Sequence, residues 1–295
     1  MIGFMDAKTL LTTTIAMTAF AANSILCRLA LGQEAVDAAS FASIRVIAGA
    51  LMLGAIAFPR WRAQGRTHAD WRTISTLFIY MTFFAFAYLS LSTGTGALIL
   101  FGSVQLTMFA VALKGGEQFS SKSWVGFMLA IVGLVYLIWP GITAPDPFGA
   151  ALMVIAGIAW GAYSLFGKDA ADPLEATANN FIWSIPLVLV TSLIFIGDIH
   201  LSWRGIAIAA LSGAVTSGLG YVVWFMALRG LPATRAATVQ LSVPVIAALG
   251  GLVFLSEDVS LRLVLASVAT LSGITIVLVQ RTVPVSSKFD CADPD

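Results

Sequence analysis

Residues 16–30, AMTAFAANSILCRLA, and residues 156–170, AGIAWGAYSLFGKDA, read as one segment written twice. At an offset of 140 residues Ser24 pairs with Ser164 and Arg28 with Lys168. At the same offset Glu117, Ser120 and Gly133 recur as Glu257, Ser260 and Gly273. Val104-Gln105-Leu106-Thr107 returns as Val239-Gln240-Leu241-Ser242. Several matches in one order and at similar spacing mark an internal duplication.

The composition says what was duplicated. Hydrophobic residues make up 59% of the chain and charged residues 11%, against about 25% charged in a soluble domain. Mean hydropathy is +0.93. Apolar stretches of about 20 residues, the length that crosses a bilayer, fill 8–31, 37–58, 71–91, 94–113, 122–139, 148–168, 174–197, 203–228, 234–255 and 260–280. They exceed strand length and lack the alternation of a membrane barrel. The shortest gap, Ser92–Thr95, is the one place where two spans could be a single bent helix. Ten spans make five per copy, and an odd number sets the copies in opposite senses, the plan of an alternating-access carrier. The expected fold is an all-α integral membrane protein of ten transmembrane helices in two five-helix inverted repeats, residues 1–142 and 143–281. A polar tail follows at 282–295.

Basic residues set the orientation. With the N-terminus cytoplasmic, Lys8, Arg60, Arg62, Arg66, Arg72, Lys114, Lys122, Lys168, Arg229, Arg235, Arg281 and Lys288 fall inside, and only Arg28, Arg204 and Arg262 outside. Both termini are therefore expected in the cytoplasm, with the chain multi-pass in a bacterial inner membrane. Lys8 followed by an apolar run and Ala19-Phe20-Ala21 imitates a secretory leader, but cleavage would delete the partner of the 156–170 span. The net charge of +1 is spread to serve topology and leaves no nucleic-acid patch.

Chemistry of other kinds is thin. His68 and His200 stand alone in loops, Cys27 and Cys291 make no framework, and neither a metal site, a cofactor nor a catalytic residue is expected. Gly161 to Lys168 imitates a phosphate loop, but its spacing is wrong and Asp169 stands where Ser or Thr is needed. No acidic residue lies near the centre of a span, so neither a mid-membrane proton carrier nor a site for strongly cationic solutes is indicated.

Polar and aromatic residues at interior depth are the candidate substrate site. Asn23, Gln105 and Gln240 are amides that must find partners in an apolar medium, and the repeat puts both glutamines near the pseudo-symmetry axis. Tyr80, Phe84 and Tyr88 share one helix face. Trp160, Tyr163, Ser164, Tyr221 and Trp224 sit well inside their spans, where hydroxyl and indole N–H groups want acceptors. Bland roles compete: helix-to-helix hydrogen bonds for the amides and packing for the rings. Arg45 is the one cation deep in a span, about eight residues or roughly 12 Å from its outer end. A pinning role toward Glu34 or Asp37 competes with solute contact. Gly157, Gly161 and Gly218 allow close helix approach, and Pro244 should kink the ninth span. These are the candidate structural or gating residues.

The pattern resembles the ten-helix drug/metabolite transporter superfamily, the EamA-type permeases. The resemblance rests on Trp160-Gly161 with Phe166-Gly167-Lys168, on Arg45, on Ala236–Glu257 with Pro244 inside it, and on Gly133 and Gly273. Phe20 and Phe109 depart from it where the family has Trp and Pro. Within the superfamily the chain is similar to YddG-type exporters, which implies export of neutral, aromatic amino acids without ATP and a cavity between spans one, three, four, six, eight and nine. The resemblance leaves apolar drugs or nucleobase-like metabolites as alternative cargo, and a non-transporting receptor or scaffold as the alternative of another class. Implied partners are a small-molecule substrate and the bilayer, with the chain a monomer or weak homo-oligomer.

Overall fold

The computed structural model describes residues 6–64, 70–116, 119–141, 144–168, 170–231 and 233–280. Glu117, His68, the 142/143 repeat boundary, Cys291 and the 282–295 tail lie outside the described residues. The described chain is helical, with one isolated bridge between Val36 and Leu201. Its helices are α1 (Ala7–Leu31), α2 (Ala38–Gln64), α3 (Trp71–Ala87), α4 (Thr93–Lys114), α5 (Ser121–Ile138), α6 (Pro147–Gly167), α7 (Pro173–Ile194), α8 (Trp203–Leu211), α9 (Gly220–Arg229), α10 (Ala233–Gln240), α11 (Ser242–Leu255) and α12 (Leu261–Gln280). A π-helical stretch, Ser212–Leu219, joins α8 to α9, so Trp203–Arg229 is one rod.

Nine described helical stretches are long and apolar enough to cross a membrane. The tenth expected span is shorter than its 71–91 reading. α3 has 17 residues, roughly 25 Å at 1.5 Å per residue, and a turn at Tyr88–Leu91 separates it from α4. The sequence gap at Ser92–Thr95 is therefore a true break, capped where Thr93 N–H meets Glu257 Oε2 at 2.8 Å.

Local chemistry starts and stops the helices. Asp6, Asp146 and Asp172 each accept a backbone N–H at the N-terminus of α1, α6 and α7, with Pro147 and Pro173 in the first turn of the last two. Pro186 and Pro59 sit inside unbroken α7 and α2. Pro244 acts differently. It has no N–H for the carbonyl of Gln240, four residues earlier, and the rod breaks at Leu241 between α10 and α11.

Packing follows a simple exchange. α5 lies along α12, α2 along α7, and α4 along α11. α6 packs on α3 and α4, while α1 packs on the α8–α9 rod and on α11. Swapping α1 with α6, α2 with α7, α3 with α8–α9, α4 with α10–α11 and α5 with α12 turns this set of neighbours into itself. Small residues permit the approach: a Cβ on Gly157 would come within 2.6 Å of the Leu100 carbonyl on α4. Outward faces carry large apolar side chains such as Leu51, Leu193, Val253 and Phe254. An apolar belt on a helical bundle of this hydropathy fits lipid as its solvent.

Candidate functional site

α1, α3, α6 and α9 bring six rings to the middle of the bundle. Trp160 lies 4.7 Å from Tyr221, 4.8 Å from Tyr80, 5.4 Å from Phe20 and 5.6 Å from Tyr163, centroid to centroid. Trp224 meets Phe20 edge-on at 5.7 Å. Aromatic pairs in these offset and edge geometries hold one another to the extent of about 0.5–1.5 kcal/mol each beyond their burial. Trp160 and Tyr221 each meet four of the other five rings, and Phe20, which departs from the superfamily pattern, meets three.

Polar groups ring the box, and several are unmatched. Trp160 Nε1, Trp224 Nε1, Ser164 Oγ and Gln240 Oε1 are buried without a hydrogen-bond partner. Each such group costs about 1–3 kcal/mol. A cavity of about 70 Å³ opens beside the last three, lined by Met108, Ser164, Leu165, Lys168, Trp224, Leu228, Leu231, Ala236 and Gln240. It exceeds the roughly 10–15 Å³ that one water requires. The break at Leu241 sits at its edge, next to Gln240.

On the far side of Tyr80 and Tyr221 lies a polar cluster. Asn23 Oδ1 accepts from Ser212 Oγ at 2.7 Å, Thr216 Oγ1 at 3.2 Å and Ser217 Oγ at 3.4 Å. The π-helical stretch presents these three hydroxyls together, and such segments recur at functional sites. Arg45, fully buried, donates from Nε to Ser217 Oγ at 2.8 Å, and from Nη2 to Tyr221 at 2.9 Å and Tyr80 at 3.2 Å. Its expected pull toward Glu34 or Asp37 is corrected. Asp37 is engaged by the amides of Ser40 and His200, and the Arg45 side chain turns inward to the tyrosines.

The remaining sequence candidates scatter. Phe84 stacks beside Tyr80 at 5.4 Å. Tyr88 is at the end of α3, its hydroxyl donating to Thr93 O at 3.3 Å. Gln105 is buried but faces another crevice, of about 20 Å³, with Phe109, Phe127 and Ile274. The two glutamines thus line different spaces, because α4 turns this part of its surface to α5 and α12. Gly161 packs against Thr107 and Gly218 against Gly49. Four participants escaped sequence reading. Ser212, Thr216 and Ser217 look like ordinary small residues, and only the π turn aims them. Asn180, which bonds both Thr73 and Tyr163, was legible by the rule that selected Asn23. The pairing of Arg28 Nε with Glu257 Oε1 at 3.2 Å joins residues 229 apart.

Comparison with known proteins places the chain. The profile of the EamA-like transporter family matches residues 147–279. An uncharacterized protein of Pseudomonas aeruginosa is 46% identical over 276 residues, which cover 94% of this chain and 96% of that one. The threonine/homoserine exporter RhtA of Salmonella typhimurium is 30% identical over 249 residues, 81% of each chain. The chain belongs to the EamA-like transporter family. A solved crystal structure with 17% identity superposes with a TM-score of 0.68, covering 93% of this chain and 99% of that one, and shares its fold. As an EamA-like protein the chain is a multi-pass membrane transporter of a small molecule. The buried box brings six aromatic rings and several buried polar groups into one interior.

Proposed function

We propose that this EamA-like transporter exports neutral amino acids, aromatic ones above all, by alternating access and without ATP, from the cytoplasm across a bacterial inner membrane. The observation that carries the reading is the box itself. Buried indole N–H and hydroxyl groups and the Gln240 amide oxygen stand unpaired around the rings, chemistry that suits a ligand with an apolar body and a polar, zwitterionic end, and the cavity of about 70 Å³ would widen to admit it as the box opens. In this reading Trp160, Tyr163, Tyr221, Trp224 and Tyr80 stack on the side chain, while Ser164, Gln240 and Asn23 serve its polar end. Counting α8–α9 and α10–α11 as one span each, and α3 as a span, gives ten. The exchange of helix neighbours supports two inverted copies, and the bias of basic residues supports cytoplasmic termini.

Counterflow in proteoliposomes tests this: preloaded tryptophan, phenylalanine or tyrosine should drive uptake of the labelled amino acid. Trp160→Ala should slow exchange on the order of tenfold, the loss of one stacking and hydrogen-bonding partner. A second reading, export of small hydroxylated amino acids, is favoured by the name of the RhtA relative. It predicts exchange of threonine and homoserine but not of the aromatic set. Competition by apolar drugs or nucleobases alone would replace both. No flux of any solute would leave a receptor or scaffold and end the transport proposal.

A further inference from the structure

The cluster behind the tyrosines has too many donors and no anion. Arg45 is fully buried, and its guanidinium carries a permanent charge. Among the described residues its hydrogen-bond acceptors are the hydroxyls of Ser217, Tyr80 and Tyr221, and Nη1 bonds to nothing. The ion pairs among the described residues are Arg28–Glu257 and Arg60–Asp172, and neither reaches this cluster. Tyr221 donates its hydroxyl proton to the Tyr80 oxygen across 3.1 Å, and Asn23 Nδ2 donates to the same oxygen at 3.5 Å. The rings of Phe84 and Tyr80 lie 4.9 and 5.4 Å from the guanidinium carbon. Such faces offset part of a desolvated cation's cost, but they do not replace a counterion. A carboxylate would supply the counterion that this cluster lacks among the described residues.

Resting on the transport reading above, we infer that Arg45, with the hydroxyls of Tyr80 and Tyr221, is the subsite for a carboxylate of the transported solute. Selectivity follows from where charge is and is not. The site answers a carboxylate with a full positive charge, but it offers an ammonium group only neutral oxygens, such as Gln240 Oε1. It therefore reads the acid end of an amino acid and not the amine. Solutes that keep the carboxylate and lose the amine, the 2-oxo and 2-hydroxy acids, should be accepted nearly as well. Amines and carboxamides of the same body should not. The tyrosines that bond the guanidinium also pack on Trp160 of the box, so parting these rings would bring the guanidinium to a solute in the box.

The experiment has two arms on the purified full-length protein. In the binding arm, intrinsic tryptophan fluorescence in detergent is titrated with phenylpyruvate, phenylalanine, phenylalaninamide and phenethylamine, and with threonine beside its amide. The 2-oxo acid should bind within about threefold of the amino acid. The amide and the amine should bind roughly 10–100-fold more weakly, the worth of hydrogen bonds to a charged group. Arg45→Gln, checked for a monodisperse elution profile, should bring the acid-to-amide ratio close to one. Should that variant not fold, Arg45→Lys takes its place, and the ratio should fall by a smaller factor. Equal binding of acid, amide and amine by the native protein overturns the inference, as does an unchanged ratio in the variant, which would leave Arg45 a packing role. The counterflow arm separates the two claims. Exchange of amino acids with no preference for the acid refutes the carboxylate subsite and keeps the exporter. Acid-selective binding without any flux keeps the subsite and refutes the exporter.

Discussion

Glu257→Gln should loosen one end of the transporter. The carboxylate joins two elements there: Oε1 pairs with Arg28 Nε of α1 at 3.2 Å, and Oε2 accepts the Thr93 N–H that opens α4 at 2.8 Å. Arg28 Nη1 continues to the carbonyls of Tyr88 and Leu89 at 3.0 and 3.2 Å. The clasp thus ties α1, the α3–α4 turn, α4 and the C-terminal end of α11 at one mouth of the bundle. The amide that replaces the carboxylate would keep its shape but only one acceptor: with its oxygen accepting from Thr93, its NH2 group would face the Arg28 N–H, so both the charge and the Arg28 hydrogen bond are lost. The Arg28 and Glu257 side chains are 25% and 16% exposed, so the pair is only partly screened. Losing the charge-assisted hydrogen bond of a partly exposed pair costs about 1 kcal/mol. Removing a negative charge from a helix N-terminus costs about 0.3–1 kcal/mol more. A total of roughly 1–2 kcal/mol shifts the closed-to-open ratio of this mouth by about 5–30-fold. Cys27, adjacent to Arg28 and fully buried, is a built-in reporter. In a Cys291→Ser background its alkylation by a maleimide should accelerate by that factor in Glu257→Gln. An unchanged rate would mean that the ion pair does not hold this end shut, and the clasp argument would fall.

Gly213→Ala should destabilise the protein, because the added methyl would overlap the Arg45 carbonyl oxygen on α2. Backbone cannot yield as a flexible side chain can, and overpacking of this kind costs about 1–3 kcal/mol or more. The apparent Tm in detergent should fall, while Gly197→Ala, whose Cβ would meet nothing within 4 Å, should leave it unchanged. Asp146 caps α6, accepting from Gly149 N–H at 2.6 Å and Ser90 Oγ at 3.0 Å, and these bonds hold its carboxyl below the usual carboxylate range. A lowered folded value stabilises above the ordinary carboxylate pKa of about 4 and loses that contribution as pH falls through the folded one. The Gly149 amide should stay protected from hydrogen exchange at neutral pH. It should lose protection on acidification below about pH 4, or at neutral pH in Asp146→Leu.

What was legible in the sequence was whatever repeats or averages. Hydropathy located nearly every helix because a span is a sum over about twenty residues and tolerates individual errors. Interior depth picked out Tyr80, Trp160, Tyr163, Tyr221 and Trp224, and the fold brings them into contact. Direction was not legible. Depth along a helix says how far a side chain lies from water, not which neighbour it faces, so Gln105 and Gln240 matched in motif yet line separate spaces. Arg45 shows the same limit: its nearest carboxylates in sequence, Glu34 and Asp37, lie toward the helix end, but its side chain follows the π stretch at Ser217. That stretch could not be foreseen from the run of small residues Ser212–Gly220, which reads equally well as a plain α-helix. Long-range pairs such as Arg28 with Glu257 depend on register between copies and appear only once the helices are packed.

The two ends of the box are unlike, and the difference argues for a direction of opening. At one end a charge pair and two backbone carbonyls lock four elements together. At the other a cavity, an unpaired Gln240 oxygen and the Leu241 break leave α10 and α11 free of a shared hydrogen-bond ladder. Helices kinked at a proline flex where the ladder is already interrupted, so movement at the cavity end breaks fewer bonds than movement at the clasp. On the orientation proposed from the basic residues, the clasped mouth is outside and the cavity inside. The structure is then a chamber shut to the exterior with its cytoplasmic side the easier to open, the state in which an exporter would take up cargo. The Arg45 guanidinium is bonded by the hydroxyls of Tyr80 and Tyr221, whose rings also meet Trp160. In the proposed reading a carboxylate bound at the guanidinium would displace the Tyr80–Tyr221 contact and so shift α3 against α9, which the exchange of neighbours assigns to different copies. Cargo binding would in that way be coupled to the contact that must rearrange for the other mouth to open.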